Sequence, residues 1–237
     1  MLEEQDYQFF IQGIKQILHI DLHLYKEKQM KRRLLSLRDK MGFSTFRDFV
    51  EAIRKSPELQ DIVLKRITIN VTEFYRNPEQ WQVLRTSIMP QLIRNKTRLA
   101  CWSSACSTGE EPYTLAMVLE ESGIRNYDIL ATDIDPFVLE KAEKAVYGKQ
   151  SVQHLPAEKL AIYFDRHEDT LLFRKDRIKG SIRFQRLDLL NDPFPVGFDL
   201  ILCRNVVIYF TDQAKHQLYQ KLANSLTTGG FLFVGST

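Results

Sequence analysis

Apolar residues in the first 70 positions recur every three or four residues, which predicts helices. Tyr7, Phe10, Ile11, Ile14 and Leu18 form one stripe, and Met30, Leu34, Leu37 and Met41 a second that Gly42 ends. Phe46, Phe49, Val50 and Ile53 make a third. Ser56-Pro57 reads as an N-cap followed by proline at the first helical position, opening a fourth helix with Leu59, Ile62 and Val63. Short amphipathic helices with tight turns predict a small bundle. Residues 67–75 are polar and β-branched and read as a linker. Asn77-Pro78 then predicts a helix carrying Trp81, Leu84 and Ile88, with Gln80 placed for a capping box.

From residue 99 the period alternates between two and 3.6. Strands are expected at 99–105, 127–133, 170–175, 181–187, 198–203 and 231–234. Helices are expected at 112–121, from Asp135-Pro136 to 146, at 156–164 and at 212–226, the last ended by Gly229-Gly230. Such alternation predicts a mostly parallel sheet with helices on both faces.

In such a sheet, ligands bind beyond the carboxyl ends of the strands. The first of these ends is Ala105-Cys106-Ser107-Thr108-Gly109-Glu110-Glu111-Pro112. It has one glycine, so it is not a dinucleotide fingerprint. Glu110 and Glu111 would repel a pyrophosphate and welcome a cation; their alternative role is to complement a helix dipole. Asp133, in Ala131-Thr132-Asp133-Ile134-Asp135, lies where an acid accepts from ribose hydroxyls, since Asp135 already suits the helix cap. Asp188 could accept from an adenine amino group while Leu189 covers the ring, or could be a solvated loop acid. Arg204 and Asn205 follow an apolar strand directly and would project at the ligand edge. Tyr209 and Phe210 after them could equally be core aromatics. The linker Asn70-Val71-Thr72-Glu73-Phe74-Tyr75-Arg76 is dense in hydrogen-bonding side chains, as a loop over a ligand is.

Composition removes several classes. The chain has 237 residues, 44% of them hydrophobic and 27% charged, which fits a globular protein with a proper core. No apolar run approaches a bilayer span. The acidic start Met1-Leu2-Glu3-Glu4 is unlike a signal peptide, so the expected location is the cytoplasm, without membrane insertion. Three cysteines (Cys101, Cys106, Cys203), with no Cys-x-x-Cys pair or nearby histidine cluster, argue against a disulfide framework and against a metal site. A net charge of +3 is too small to imply nucleic acid. The charge is concentrated, however: residues 26–40 hold seven basic side chains against two acidic ones. Such a patch, including Lys28, Lys31, Arg32, Arg33 and Arg38, attracts an acidic partner.

Taken in order, these segments resemble the chemotaxis receptor methyltransferase family (CheR). The matching strings are residues 69–76 (INVTEFYR), 102–113 (WSSACSTGEEPY), 131–135 (ATDID) and 198–210 (FDLILCRNVVIYF), and the resemblance spans essentially the whole chain. It implies an all-α N-terminal domain (1–68), a linker and helix (69–98) and a Rossmann-like S-adenosylmethionine-dependent methyltransferase domain (99–237). A small antiparallel β subdomain is expected at about 165–187. The family's sheet goes on past Phe231 with a final antiparallel pair, expected to be missing here.

By the same resemblance Asn70, Thr72, Arg76, one of Glu110 and Glu111, Asp133, Asp188, Leu189, Arg204 and Asn205 contact S-adenosylmethionine or the product S-adenosylhomocysteine. Arg76 and Tyr209 face the reacting groups. The implied reaction methylates glutamate carboxylates of chemotaxis receptors. Glutamate, with an ordinary pKa of about 4.3, is already an anionic nucleophile near neutrality, so no general base is required. Arg76 and Tyr209 are therefore expected to orient rather than to move protons. The basic patch is expected to steer glutamate-rich methylation helices. The stretch 165–170 is short and lacks the glycine of family members that dock on a receptor's C-terminal tether, so independence of a tether is expected. Two alternatives stand beside this reading: the same fold acting on another substrate, and a non-catalytic module that only binds the cofactor.

Overall fold

The computed structural model describes residues 2–94, 96–178 and 180–235. Packing divides them into two units. One ends at Ile69 and takes in Tyr209–Gln217; the other runs from Asn70 to Ile208 and resumes at Leu218.

The first unit holds helices α1 (Leu2–Leu18), α2 (Glu27–Lys40), α3 (Phe46–Lys55) and α4 (Pro57–Ile67). Their stripes meet as the spacing predicts: Tyr7, Phe10, Ile14, Leu34, Phe46, Phe49, Val50, Ile53 and Val63 are all buried. Glycine at position 13 lets α1 cross α3 closely, since a Cβ there would stand 2.5 Å from Val50 Cγ1. The Thr45 and Ser56 hydroxyls accept from the amides of Asp48 and Leu59, capping α3 and α4. Asp6 adds a second cap by accepting from the amides of Phe46 and Arg47. Residues 209–211 pair with 24–26: Lys26 N–H donates to the Tyr209 carbonyl and Thr211 N–H to that of Leu24. The Tyr25 and Phe210 rings meet edge-on, 5.3 Å apart.

The basic patch divides on inspection. Lys28 and Arg32 are exposed. Lys31 pairs with Glu4, and Arg38 pairs with Asp39 and lies over the Phe46 ring. Arg33 departs from expectation. Its guanidinium donates to the carbonyls of Arg66 and Ile67, closing the last turn of α4, so it serves the fold rather than a free surface.

The second unit begins with α5 (Pro78–Val83) and α6 (Met89–Leu92), joined by a π turn at Leu84–Ile88. Pro90 has no N–H to continue an α ladder, and Met89 N–H reaches back to the Leu84 carbonyl. Then follow β1 (Leu99–Ser103), α7 (Glu110–Glu121), β2 (Tyr127–Asp133), α8 (Pro136–Lys144), β3 (Val146–Gly148), α9 (Ala157–Tyr163), β4 (Phe164–His167), β5 (Thr170–Phe173), β6 (Ser181–Arg186), β7 (Phe198–Cys203), α10 (Asp212–Ser225) and β8 (Leu226–Val234). The boundary between units falls within α10. Five strands form a parallel sheet in the order β6-β2-β1-β7-β8. The order reverses at β1, so the loops after β1 and β7 diverge and leave a crevice there.

A second, antiparallel sheet has the order β3-β5-β4. The expected span of about 165–187 is corrected at both ends. It gains Val146–Gly148, because left-handed Ala145 (φ 55°) stops α8 and Val146 then pairs with Leu172. It loses Ser181–Arg186, which pairs in parallel with β2. β4 and β5 are joined by the two-residue turn Glu168-Asp169. Two other boundaries differ. α7 starts at Glu110, not 112, and α10 ends at Ser225, before the Gly229-Gly230 pair, which lies inside β8.

Candidate functional site

Four loops leave the carboxyl ends of β1, β2, β6 and β7 on one edge of the sheet. The loop after β1 is the tightest. Ser107 and Gly109 are both left-handed (φ 47° and 94°). Only glycine serves at 109, since a Cβ there would lie 2.8 Å from that of Ala142. The turn delivers Glu110 and Glu111 to the start of α7, Glu110 almost wholly buried.

The two acids differ in their partners. Glu111 accepts from Ser103 Oγ (2.7 Å) and from Arg204 (3.4 Å). Burial raises its pKa, opposed chiefly by the Arg204 charge. Glu110 accepts from Thr108 Oγ1 at 2.6 Å, and burial raises its pKa too. Among the described residues no cation stands within ion-pair distance of Glu110.

Asp133, at the end of β2, is buried and accepts from Ser107 N–H (2.9 Å) and Asp135 N–H (3.1 Å). Burial pushes its carboxyl up to about 6, against the pull of those amides. Asp135 caps α8 through Phe137 N–H and accepts from Asn70 Nδ2 at 3.0 Å, which ties the linker to this loop. Ser107 Oγ is buried without a hydrogen-bond partner among the described residues. A buried hydroxyl left open in this way can take a hydrogen bond with a ligand's polar atom.

The other candidates vary in how they reach this edge. Arg76, half-buried, donates to the Val71 carbonyl at 2.5 Å and closes the linker into a loop; Thr72 lies within that loop. Asn205 follows β7 in a left-handed conformation (φ 56°). Asp188 already accepts from the amides of Leu190 and Asn191 and from Asn191 Nδ2, so its carboxylate shapes its own turn, beside buried Leu189. Tyr209 falls in the helical unit, unlike the other candidates.

Arg204 is corrected. It does not project at the edge but lies buried beneath the linker. It donates to the Arg76 carbonyl (2.7 Å), to Gln80 Oε1 (3.0 and 3.2 Å) and to Glu111, with its guanidinium over the Trp81 ring. Gln80 is therefore not half of a capping box: its side chain serves Arg204, and left-handed Asn77 makes no side-chain cap. Sequence reasoning missed Ser103, Ser107 and Gln80 as contributors. Ser103 and Ser107 stood inside a motif already singled out, but nothing in the pattern tells a partnered serine from an open one.

The donor set fits the sulfonium cofactor expected from the sequence. Glu110 and Asp133 are buried carboxylates and Glu111 a largely shielded one, and a single buried guanidinium, that of Arg204, pairs with Glu111, which leaves room for positive charge. The open Ser107 hydroxyl belongs to the same loop as Glu110 and Glu111. Among the described residues no group of His, Cys, Asp and Glu is arranged to hold a metal ion, and no helix is long and apolar enough to cross a membrane.

Residues 70–237 match the family model described as the CheR methyltransferase, SAM binding domain, and residues 5–68 the one described as the CheR methyltransferase, all-alpha domain. The chain is 45% identical over 236 residues to a chemotaxis protein methyltransferase of Listeria monocytogenes, covering 99% of this chain and 90% of that protein. A chemotaxis protein methyltransferase of Borreliella burgdorferi is 32% identical over 230 residues, covering 91% of this chain and 81% of that protein.

Proposed function

The chain belongs to the CheR methyltransferase family, and from that premise we propose that it methylates glutamate side chains of chemotaxis receptors, giving methyl esters. It is a chemotaxis methyltransferase that uses S-adenosylmethionine. The observation that carries the reading is buried Glu110, an acid without a cation, beside the open Ser107 hydroxyl and Asp133.

When bound, the cofactor supplies an electrophilic methyl group on a sulfonium. Glu110, rather than Glu111, accepts from its ammonium, because Glu111 is already matched by Arg204. Asp133 accepts from the ribose hydroxyls, and Asp188 with Leu189 borders the base. Asn70 and Thr72, held over the pocket through Asp135, exclude water. Asn205 lines the remaining side at the end of β7, and Arg204 acts by fixing the linker. Arg76 orients the substrate carboxylate in line with the methyl group, the reacting atoms roughly 3 Å apart. No base is needed, since the carboxylate is ionised near neutrality. Exposed Lys28 and Arg32 steer the acidic receptor helix. The two-residue turn at Glu168-Asp169 supports independence of a receptor-tail tether, and calorimetric binding of such a tail peptide would count against it.

The test is transfer of label from methyl-labelled S-adenosylmethionine to receptor-containing membranes, followed by alkali. Glutamate esters release the label as methanol. Alkali-stable label means another acceptor group, and cofactor binding without transfer means a non-catalytic module.

A further inference from the structure

Lys221, on α10, lies outside every motif noted in the sequence, yet it is half-buried and aimed at the loop after β6. Its ammonium donates to the carbonyl of Leu189 (3.1 Å) and to that of Asp192 (2.8 Å). It also stands 4.0 Å from the centre of the Phe194 ring. Phe194 packs edge-on against Trp102, 4.9 Å away, and Trp102 donates to Thr132, the neighbour of Asp133. The loop is closed on itself as well: Asp192 N–H donates to the Asp188 carbonyl, and Asp192 accepts from Asp188 N–H at 2.8 Å. A lysine stem loses much side-chain entropy when fixed this way, and burial works against its charge, lowering the Lys221 pKa. An apolar residue would cover Phe194 without either penalty. What lysine adds is a charged donor between two carbonyls, which sets the loop's position relative to the sheet.

We propose that Lys221 is a positioning residue for recognition of the cofactor's base, holding the Asp188–Asp192 loop where it distinguishes adenine from other purines. The inference rests on the proposed reading that Asp188 and Leu189 border the base. Lys221 touches no reacting group, so its removal changes binding and base choice rather than the methyl-transfer step.

The experiment titrates S-adenosylhomocysteine and its 6-oxo counterpart, with hypoxanthine in place of adenine, into the full chain and into Lys221→Met and Lys221→Arg. The wild-type chain prefers the adenine form about ten-fold, as one base-edge hydrogen bond provides. In Lys221→Met that preference shrinks to about two-fold, the cofactor KM rises and kcat at saturation is retained; Lys221→Arg restores most of the preference. A purely structural lysine would lower the melting temperature and weaken both ligands alike, leaving their ratio intact. An unchanged ratio in Lys221→Met therefore overturns the inference while the base-loop reading stands. A wild-type chain that binds both forms equally overturns both.

Discussion

Replacing Arg204 by methionine tests the architecture of the site most directly. The guanidinium and Glu111 are both shielded, with side chains 2% and 12% exposed, and stand 3.4 Å apart. At an effective dielectric constant of about 20, their attraction is roughly 5 kcal/mol. Methionine would recover the desolvation penalty of the guanidinium and preserve much of its contact with Trp81. It would also remove one of the two donors to the Arg76 carbonyl, leaving Trp81 Nε1, take from Gln80 Oε1 the guanidinium it accepts from, and leave Glu111 as a shielded charge without its cation. Removing one partner of such a pair lowers stability by about 3–5 kcal/mol.

The loss has a pH signature. Burial already raises the Glu111 pKa, and Arg204 is the largest influence opposing that rise. Without Arg204 the pKa climbs further. A carboxyl whose folded pKa exceeds its unfolded value favours the fold below the unfolded pKa, and that contribution is lost as pH rises through the folded pKa. The deficit of Arg204→Met relative to wild type therefore grows from pH 5 to pH 8. Both tryptophans, Trp81 and Trp102, lie in the unit that holds Arg204, so their fluorescence during urea unfolding reports on the right transition. Adding Glu111→Gln removes the stranded charge and recovers part of the loss. A deficit under about 1 kcal/mol, equal at both pH values and unrelieved by Glu111→Gln, would mean that the pair does not organise the linker.

Four further outcomes are expected. Asp133→Asn weakens S-adenosylhomocysteine binding about ten-fold. It also removes a pH step: with the carboxyl at about 6, wild-type affinity falls as pH drops through that value, which calorimetry across pH 5–8 resolves. Glu110→Gln lowers cofactor affinity while stability holds or improves, because a cation-free buried carboxylate is relieved; Glu111→Gln shows the reverse emphasis. Arg76→Ala reduces turnover at saturating cofactor by about ten-fold or more and leaves the cofactor Kd near wild type, measured by steady-state methylation and calorimetry. Lys28→Glu with Arg32→Glu slows receptor methylation at low salt and matches wild type at high salt, whereas Arg33→Glu shows itself first as a lower melting temperature.

The fold was legible wherever a period ran long enough to be read. The four helical stripes and four of the five parallel strands follow from spacing, whereas Ser181–Arg186 was expected in the antiparallel layer and pairs in parallel with β2. The antiparallel layer was misplaced because its strands are three or four residues long, and the event that defines it is one left-handed alanine after α8. No period announces that. The site was legible as positions on strand ends but not as partnerships. Glu110 and Glu111 are adjacent and identical in type, and only the packing of Arg204 against one of them separates their roles. Arg204 itself was misread for a reason of distance. Its acceptors on the linker side, the Arg76 carbonyl and Gln80, are more than a hundred residues away in the chain. A basic residue after an apolar strand looks the same whether it faces a ligand or a buried carbonyl.

The charges of the pocket account for the chemistry it does without. Once Arg204 is set against Glu111, the acids left over include Glu110 and Asp133, both raised by burial. Each is held at a free-energy cost that a cationic ligand removes and an anionic one would increase. On the proposed reaction, the same surplus disfavours a carboxylate in the pocket without the cofactor and is offset once the sulfonium is bound. In the proposed reaction nucleophile and electrophile carry opposite charges and neutralise one another, so a strong cation gripping the acceptor would hold back its charge and slow it. Arg204 is buried and donates to the linker, and Arg76, proposed to orient the acceptor, is held in part by its donation to the Val71 carbonyl rather than left free to grip the carboxylate. In such a site the protein's contribution is alignment and the exclusion of water, and both depend on the linker being fixed.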